Sequence, residues 1–575
     1  MSKKILAGAD SFKEIREEHS LYVDKSEFIS ELLEFGGKVV AIARPRRFGK
    51  SLNMSMLSYF FDIRNGKENR ELFKGLNIEK STYFSQQGQY PVINITFKSV
   101  KERNWDECVE KIKSLVADEY SKHKYLLRCK DEAKGLDKRE EEYFANILNE
   151  KNGEVKLKES LKRLSHFLYR YHSKEVVILI DEYDTPIVEG ELKGYFENAS
   201  SFMQSFLGDA LKGNESIFKG VVTGITRMQG AGIFSGFNNA DICTIFDKEY
   251  NDRFGFTEKE VKELLKEYGM PDKEEGVKEY YNGYNFHGKV MYNPFSVVKY
   301  IKKGKFDNYW LGSSRNDLAR KKVNRLLEIK GDEVVRKDVE NLLQRKKVRI
   351  KLKDSLEISE DMKPRDILHL MLHSGYLKYE NYFKNDENVV YVDVSIPNLE
   401  IKAIYNQSIE EWVEKEYTME EVKDLKEFLK SVCEGSEGEI KERLENYLNR
   451  RSVMDGERVL EMSYHNFLLG LLQGLEGRYL LDSNKESGSG RYDIMLTPIK
   501  GRKDSEGRSG VVIELKVGDK DKLKEISKGA IKQIEDKKYY KALESQGIKK
   551  VRLIGIAFHG KEAEVKLKEE TLAKK

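Results

Sequence analysis

The first half of the chain sets short apolar runs between helical patterns. Lys38 to Ala43 (KVVAIA), Tyr90 to Phe97 (YPVINITF), Glu175 to Ile180 (EVVILI) and Phe218 to Thr223 (FKGVVT) are each brief and rich in β-branched residues. Near-continuous apolar runs, rather than alternation, suit strands buried on both faces. They predict a parallel α/β sheet. The first run passes through a turn at Arg44 to Gly49 into a helical pattern, Ser51 to Phe61.

From Thr257 the texture changes. Thr257-Glu-Lys-Glu260 is a capping-box pattern and predicts a helix to about Tyr268. An aromatic segment, Tyr280 to Tyr300, completes a small helical unit. Residues 315–365 and 400–450 are charged and read as helical, and Pro397-Asn398 ends a strand-like Val389 to Ile396. From about Glu457 a new order begins: helix, strand, loop, strand, helix, strand. The expected division is 1–255, 256–320, 321–454 and 455–575.

Composition narrows the class. The 575 residues carry 102 Lys+Arg against 98 Asp+Glu, a net +4, which excludes a globally basic coat but not local basic grooves. Aromatics at 11% argue for packed cores rather than disorder. Cys108, Cys129, Cys243 and Cys433 are far apart, so neither a disulfide framework nor a cysteine zinc site is expected. The first ten residues lack an apolar signal region and no run approaches a spanning helix. The expected place is the cytoplasm, with no membrane partner.

Arg44-Pro-Arg-Arg-Phe-Gly-Lys-Ser51 follows a strand and opens a helix. Backbone N–H groups there would surround phosphates, with Arg46 and Arg47 in the loop beside them. Gly49 allows close backbone approach, Lys50 would reach the β/γ-phosphates of ATP, and Ser51 would hold Mg²⁺. A basic turn capping a helix is the plainer alternative. The second half of the signal is Val176 to Ile180 followed by Asp181-Glu182, which puts carboxylates at the C-terminal edge of a buried strand. Asp181 would bind Mg²⁺ through water and Glu182 would orient or deprotonate the attacking water. Thr223 would sense the γ-phosphate. Arg227 would stabilise charge there or serve a structural ion pair.

These motifs, with Ile180 to Pro186 (IDEYDTP), Thr223 to Arg227 (TGITR) and Tyr22-Val-Asp-Lys25, resemble the AAA-ATPase-like domain of a widespread prokaryotic family of P-loop NTPases. Tyr281-Asn-Gly-Tyr284 and Tyr292-Asn-Pro294 are similar to its helical, winged-helix-like segment. The resemblance spans about residues 5–320, and that family also carries Arg where the usual loop has its first Gly.

A second constellation lies downstream. Gly490-Arg-Tyr-Asp493 precedes an apolar run, a polar loop follows, and then comes Gly510-Val-Val-Ile-Glu514-Leu-Lys516. Residues i and i+2 of a strand share a face, so Glu514 and Lys516 point together while Ile513 and Leu515 pack opposite. A hairpin would bring Asp493 beside Glu514. Two carboxylates form a hard-cation site, and Lys516 would position a water or neutralise developing charge. An ordinary surface Glu–Lys pair is the bland alternative. The region resembles the PD-(D/E)xK nuclease superfamily over about residues 455–565. That resemblance implies Glu486 as a further metal ligand or substrate contact and places Gln533 at the border of the site. Glu461 and His465 fit core or cap roles slightly better than chemistry.

The expected architecture is therefore α/β: a P-loop sheet, a winged-helix-like segment, a helical connector and a restriction-endonuclease-like domain. The expected activity is a nucleotide-regulated, Mg²⁺-dependent nuclease using Asp493, Glu514 and Lys516, acting on DNA before RNA. A signalling or scaffold ATPase whose C-terminal fold binds without cutting is the rival. Self-association stays open.

Overall fold

A computed structural model describes residues 3–225, 240–310, 338, 341–342, 347–353, 364–405, 419–449, 464, 468, 471–472, 475, 478–483, 486–487, 490–499 and 508–572. The chain divides into two units, Met1–Tyr405 and Asn406–Lys575.

The first unit is built on five parallel strands: β1 (Val39–Ala43), β2 (Val92–Thr96), β3 (Val176–Asp181), β4 (Ile217–Gly224) and β5 (Ala240–Cys243). Their order is β2-β3-β4-β1-β5. Every residue of β1 and β3 is buried, as strands covered by helices on both faces require. β4 separates β1 from β3, with Ile42 opposite Thr223 and Ile180 opposite Val222. The C-terminal ends of the three strands thereby form one edge. β5 was not foreseen, because Ala240-Asp-Ile-Cys243 is short and interrupted by an acid.

Two smaller sheets complete this unit. β6 (Phe256–Thr257), β7 (Tyr284–Phe286) and β8 (Lys289–Tyr292) pair antiparallel in the order β6-β8-β7. The expected capping box is present: Thr257 Oγ1 accepts from Glu260 N, and Thr257 N donates to the Glu260 carboxylate. The helix Pro294–Lys303 begins with Asn293 as cap and Pro294 in its first turn, and ends at Gly304. β9 (Val348–Lys351), β10 (Lys378–Lys384) and β11 (Val390–Ser395) form the other antiparallel sheet. β9 falls within the stretch expected to be helical. Its pattern has period two, with Val348 and Ile350 buried and Arg349 and Lys351 exposed.

Glu400 is fully buried. It accepts from Ser296 Oγ at 2.8 and 3.0 Å and from Trp310 N at 2.9 Å, and burial pushes its carboxyl up to about 7. Nearby, the sequence pair Asn282-Gly283 meets Pro397-Asn398. Asn398 donates to Asn282 O at 2.7 Å, and a Cβ on Gly283 would come within 2.3 Å of Pro397 O. Only glycine fits that approach, at φ +103°.

The second unit holds β12 (Tyr479–Ser483), the short hairpin β13 (Glu486–Ser487) and β14 (Gly490–Arg491), β15 (Ile494–Pro498), β16 (Gly510–Val517), β17 (Lys550–His559) and β18 (Glu562–Thr571). The main sheet runs β12-β15-β16-β17-β18. Its pairs are antiparallel except β16–β17, which are parallel and joined through the helix Leu523–Lys537. Alternation along β16 splits the core. Val511, Ile513 and Leu515 pack with the helices Met419–Glu434 and Glu437–Asn449, while Val512 faces Ile531, Ile534 and Tyr539.

Candidate functional site

The turn after β1 is shaped by two residues in left-handed conformation, Arg47 (φ +69°) and Gly49 (φ +84°). It delivers Lys50 as the first residue of the helix Lys50–Phe61. Lys50 is buried, and its ammonium donates to Arg44 O at 2.9 Å and Pro45 O at 3.0 Å. Burial lowers its pKa, while Glu182, Asp184 and Asp181 pull it up. Arg44, standing where the usual loop has glycine, is wholly buried. Its guanidinium donates to Ala43 O, Cys243 O and Glu249 O, and burial lowers its pKa to about 10. It faces inward, as a strut under the loop.

Across the sheet edge, Thr223 Oγ1 donates to Asp181 Oδ1, and Thr96 Oγ1 donates to Asp181 Oδ2 at 3.4 Å. Burial and then Glu182 hold the Asp181 carboxyl above its usual range, against hydrogen bonds from Thr223 and Ser51 and the charge of Lys50. Ser51, on the helix start, and Asp181, on a strand end, are thus close enough to interact. A hydroxyl and a carboxylate oxygen so placed fit a hard divalent cation. Glu182 adopts φ +52° and is only partly buried; Thr185 Oγ1 donates to it at 3.3 Å. Asp184 is buried, accepts from Ile225 N at 2.6 Å, and has its pKa raised chiefly by burial. Arg47 faces Glu182 and lies over the Phe295 ring, 4.1 Å from its centroid. Thr96 and Asp184 were not singled out from the sequence. Their signal was a polar residue at the same strand edge and a second acid in Ile180 to Pro186.

In the second unit, the register Ile494↔Ile513 brings Asp493 beside Glu514. Asp493 Oδ2 accepts from Leu515 N at 2.7 Å. Glu514 is 1% exposed; Lys516 Nζ lies 3.0 Å from its Oε1, and Gln533 Nε2 donates to the same oxygen. Burial first, then the Asp493 charge, pushes the Glu514 carboxyl up to about 7, with Lys516 opposing. Its other oxygen, Oε2, is buried without a hydrogen-bond partner among the described residues. A buried carboxylate oxygen left unpaired costs free energy unless a cation or donor meets it. The pair Asp493 and Glu514 therefore fits a divalent ion. Gln533 Nε2 also donates to Tyr539 OH at 3.2 Å, and Ser487 Oγ donates to Tyr539 O at 2.5 Å, which packs β13 near the site.

Two stretches of the chain match known family models. Residues 7–234 match the AAA-ATPase-like family, described as predicted AAA-ATPase, and residues 459–568 match the PD-(D/E)XK nuclease superfamily. The chain carries an AAA-ATPase-like domain and a PD-(D/E)XK nuclease superfamily domain. A curated relative, an uncharacterized protein in the vnfD 5′ region of Azotobacter chroococcum mcd 1, is 28% identical over 317 residues. That match covers 54% of this chain, and the chain spans about half, 54%, of that protein.

The AAA-ATPase-like domain thus gathers Lys50, Ser51, Asp181, Glu182 and Thr223 at one sheet edge, with Gly49 and Arg47 shaping the loop and Arg46 close enough to act electrostatically on Lys50. The PD-(D/E)XK domain gathers Asp493, Glu514, Lys516 and Gln533. The backbone of Glu486 lies in β13, opposite Arg491. Arg227, Glu461 and His465 lie outside the described residues. Among the described residues no helix is long and apolar enough to cross a membrane.

Proposed function

We propose that this chain binds and hydrolyses ATP in its first unit and cleaves phosphodiester bonds in its second, with DNA the leading substrate. The observation that carries the nuclease half is Glu514: a buried carboxylate beside Asp493 and Lys516, with one oxygen unpaired among the described residues. A neutralising cation is what such a residue calls for, and Asp493 and Glu514 would hold it. A divalent ion such as Mg²⁺, when bound, supplies charge neutralisation for the phosphate and a more acidic water. Lys516 is tied to Glu514, so its ammonium is held ready to orient a water or meet developing negative charge. Gln533 fixes the Glu514 carboxylate from the helix side.

In the ATPase half, Gly49 and the helix start offer backbone N–H groups to phosphates. Lys50 would turn to the β/γ-phosphates, Ser51 and Asp181 would hold Mg²⁺, and Glu182 would orient the attacking water. Thr223, bonded to Asp181, would sense the γ-phosphate. Arg46 and Arg47 add positive charge beside the phosphates. Nucleotide state would then gate cleavage.

The deciding experiment is a nuclease assay on duplex and single-stranded DNA and on RNA, with wild type, Asp493→Ala and Lys50→Ala, each with Mg²⁺ and with or without ATP. Cleavage that requires Asp493 and changes with ATP only when Lys50 is present supports the reading. Intact substrates throughout, or equal cleavage by Asp493→Ala, overturn its nuclease half.

A further inference from the structure

Three P-loop residues, Arg44, Arg47 and Phe48, each make contacts within residues 243–295. Arg44 donates to Cys243 O and Glu249 O and lies over the rings of Phe254 and Phe286, at 5.8 and 5.3 Å. Arg47 lies over Phe295, the second residue of the helix Pro294–Lys303. Phe48 is 1% exposed and packs edge-on against Tyr284 at 4.9 Å and against Phe286 at 5.2 Å. Its own carbonyl accepts from Gly255 N at 3.0 Å. At Gly255 (φ +95°) a Cβ would come within 2.8 Å of the Phe48 ring, so the missing side chain makes the ring's seat.

We propose that Phe48 is a positioning residue that couples the P-loop to the β7–β8 hairpin, so that nucleotide at Lys50 and Ser51 alters residues 284–295. The proposal rests on the nucleotide reading and adds where its effect goes. Lys50 donates to the carbonyls of Arg44 and Pro45. Its ammonium has a third N–H for a phosphate, so a bound phosphate would pull on the loop through these two bonds, and the loop that carries them is fixed at both ends by Arg44 and Phe48. Close-packed aromatic contacts do not deform smoothly; they shift as units. The loop's adjustment therefore passes into Tyr284 and Phe286. The Tyr281-Asn-Gly-Tyr284 and Tyr292-Asn-Pro294 motifs thereby gain a role: they build the receiving surface.

The test is amide hydrogen exchange of the full chain, with and without a non-hydrolysable ATP analogue plus Mg²⁺, alongside nucleotide affinity and ATPase kinetics. In wild type, exchange over residues 284–295 should change about fivefold on analogue binding. Phe48→Leu should keep affinity within about threefold, lose the exchange response and lower kcat about tenfold with KM nearly unchanged, and Phe48→Tyr should restore both. Phe286→Leu cuts the same contact from the hairpin side and decides the matter if Phe48→Leu fails to fold. Binding without any response at 284–295 in wild type, or an undiminished response in both leucine variants, overturns the coupling alone. Wild type that binds no nucleotide overturns the ATP reading and the coupling with it.

Discussion

Thr223 and Asp181 stand on adjacent parallel strands, and the threonine hydroxyl donates to the aspartate Oδ1. The hydroxyl belongs to the strand that separates the P-loop strand from the acidic one. Thr223 therefore stands between the P-loop strand and the acidic strand.

Thr223→Val keeps the shape and removes the donor. ATP turnover should fall about tenfold, with ATP affinity held within about threefold. Steady-state ATPase assays and analogue titration check this. Equal turnover would detach Thr223 from the reaction.

Asp493→Ala and Glu514→Gln should each reduce phosphodiester cleavage by about a thousandfold or more, and Lys516→Ala by about a hundredfold. Chelation with EDTA should abolish cleavage and added Mg²⁺ restore it. Gel assays on labelled DNA measure all four. Activity that survives EDTA undiminished would end the case for a metal-supported site.

Arg44→Gly supplies the residue more usual at that position in other P-loops. Here it should destabilise the first unit by about 3 kcal/mol, because Cys243 O and Glu249 O lose a buried charged donor. Urea unfolding followed by circular dichroism gives the difference. A neutral substitution would mean that water replaces the guanidinium without cost.

Glu400 predicts a pH dependence. Its folded pKa is raised to about 7 from 4.5, so the folded state holds the proton more tightly than the unfolded chain. That contribution is fully present below about pH 4.5 and is lost as pH rises through 7. Between those limits it amounts to about 3 kcal/mol. Glu400→Gln should flatten this part of the profile, so that the variant gains on wild type from pH 5 to pH 8. Parallel unfolding curves at the two pH values would contradict it.

The buried strands were legible because they are covered on both faces and so need unbroken apolar runs; Val176 to Ile180 is the clearest case. The acidic end of that run and the Glu514–Lys516 spacing were legible for the same reason, since strand geometry fixes which residues share a face. Arg44 was not. Its residue type suggests a phosphate contact, and only partners about two hundred positions on show that it points inward. β9 was hidden by its charges: Arg349 and Lys351 look helical in a Lys-rich stretch, while Val348 and Ile350 carry the period. The hydrogen bond from Leu515 N to Asp493 follows from strand register, which no local pattern states.

Among the described residues β1 pairs with β4 and β5 and with no nearer segment of the chain. During synthesis the nascent P-loop strand must wait until Cys243 has been made before both its neighbours exist. Contacts this remote in sequence form slowly. A ribosome-bound intermediate shorter than about Glu249 lacks the carbonyls that hold Arg44 under the P-loop. On the proposed reading, ATP would become a ligand only after the strand and turn that hold Arg44 have been made, which would tie its capture to the folding of the sheet.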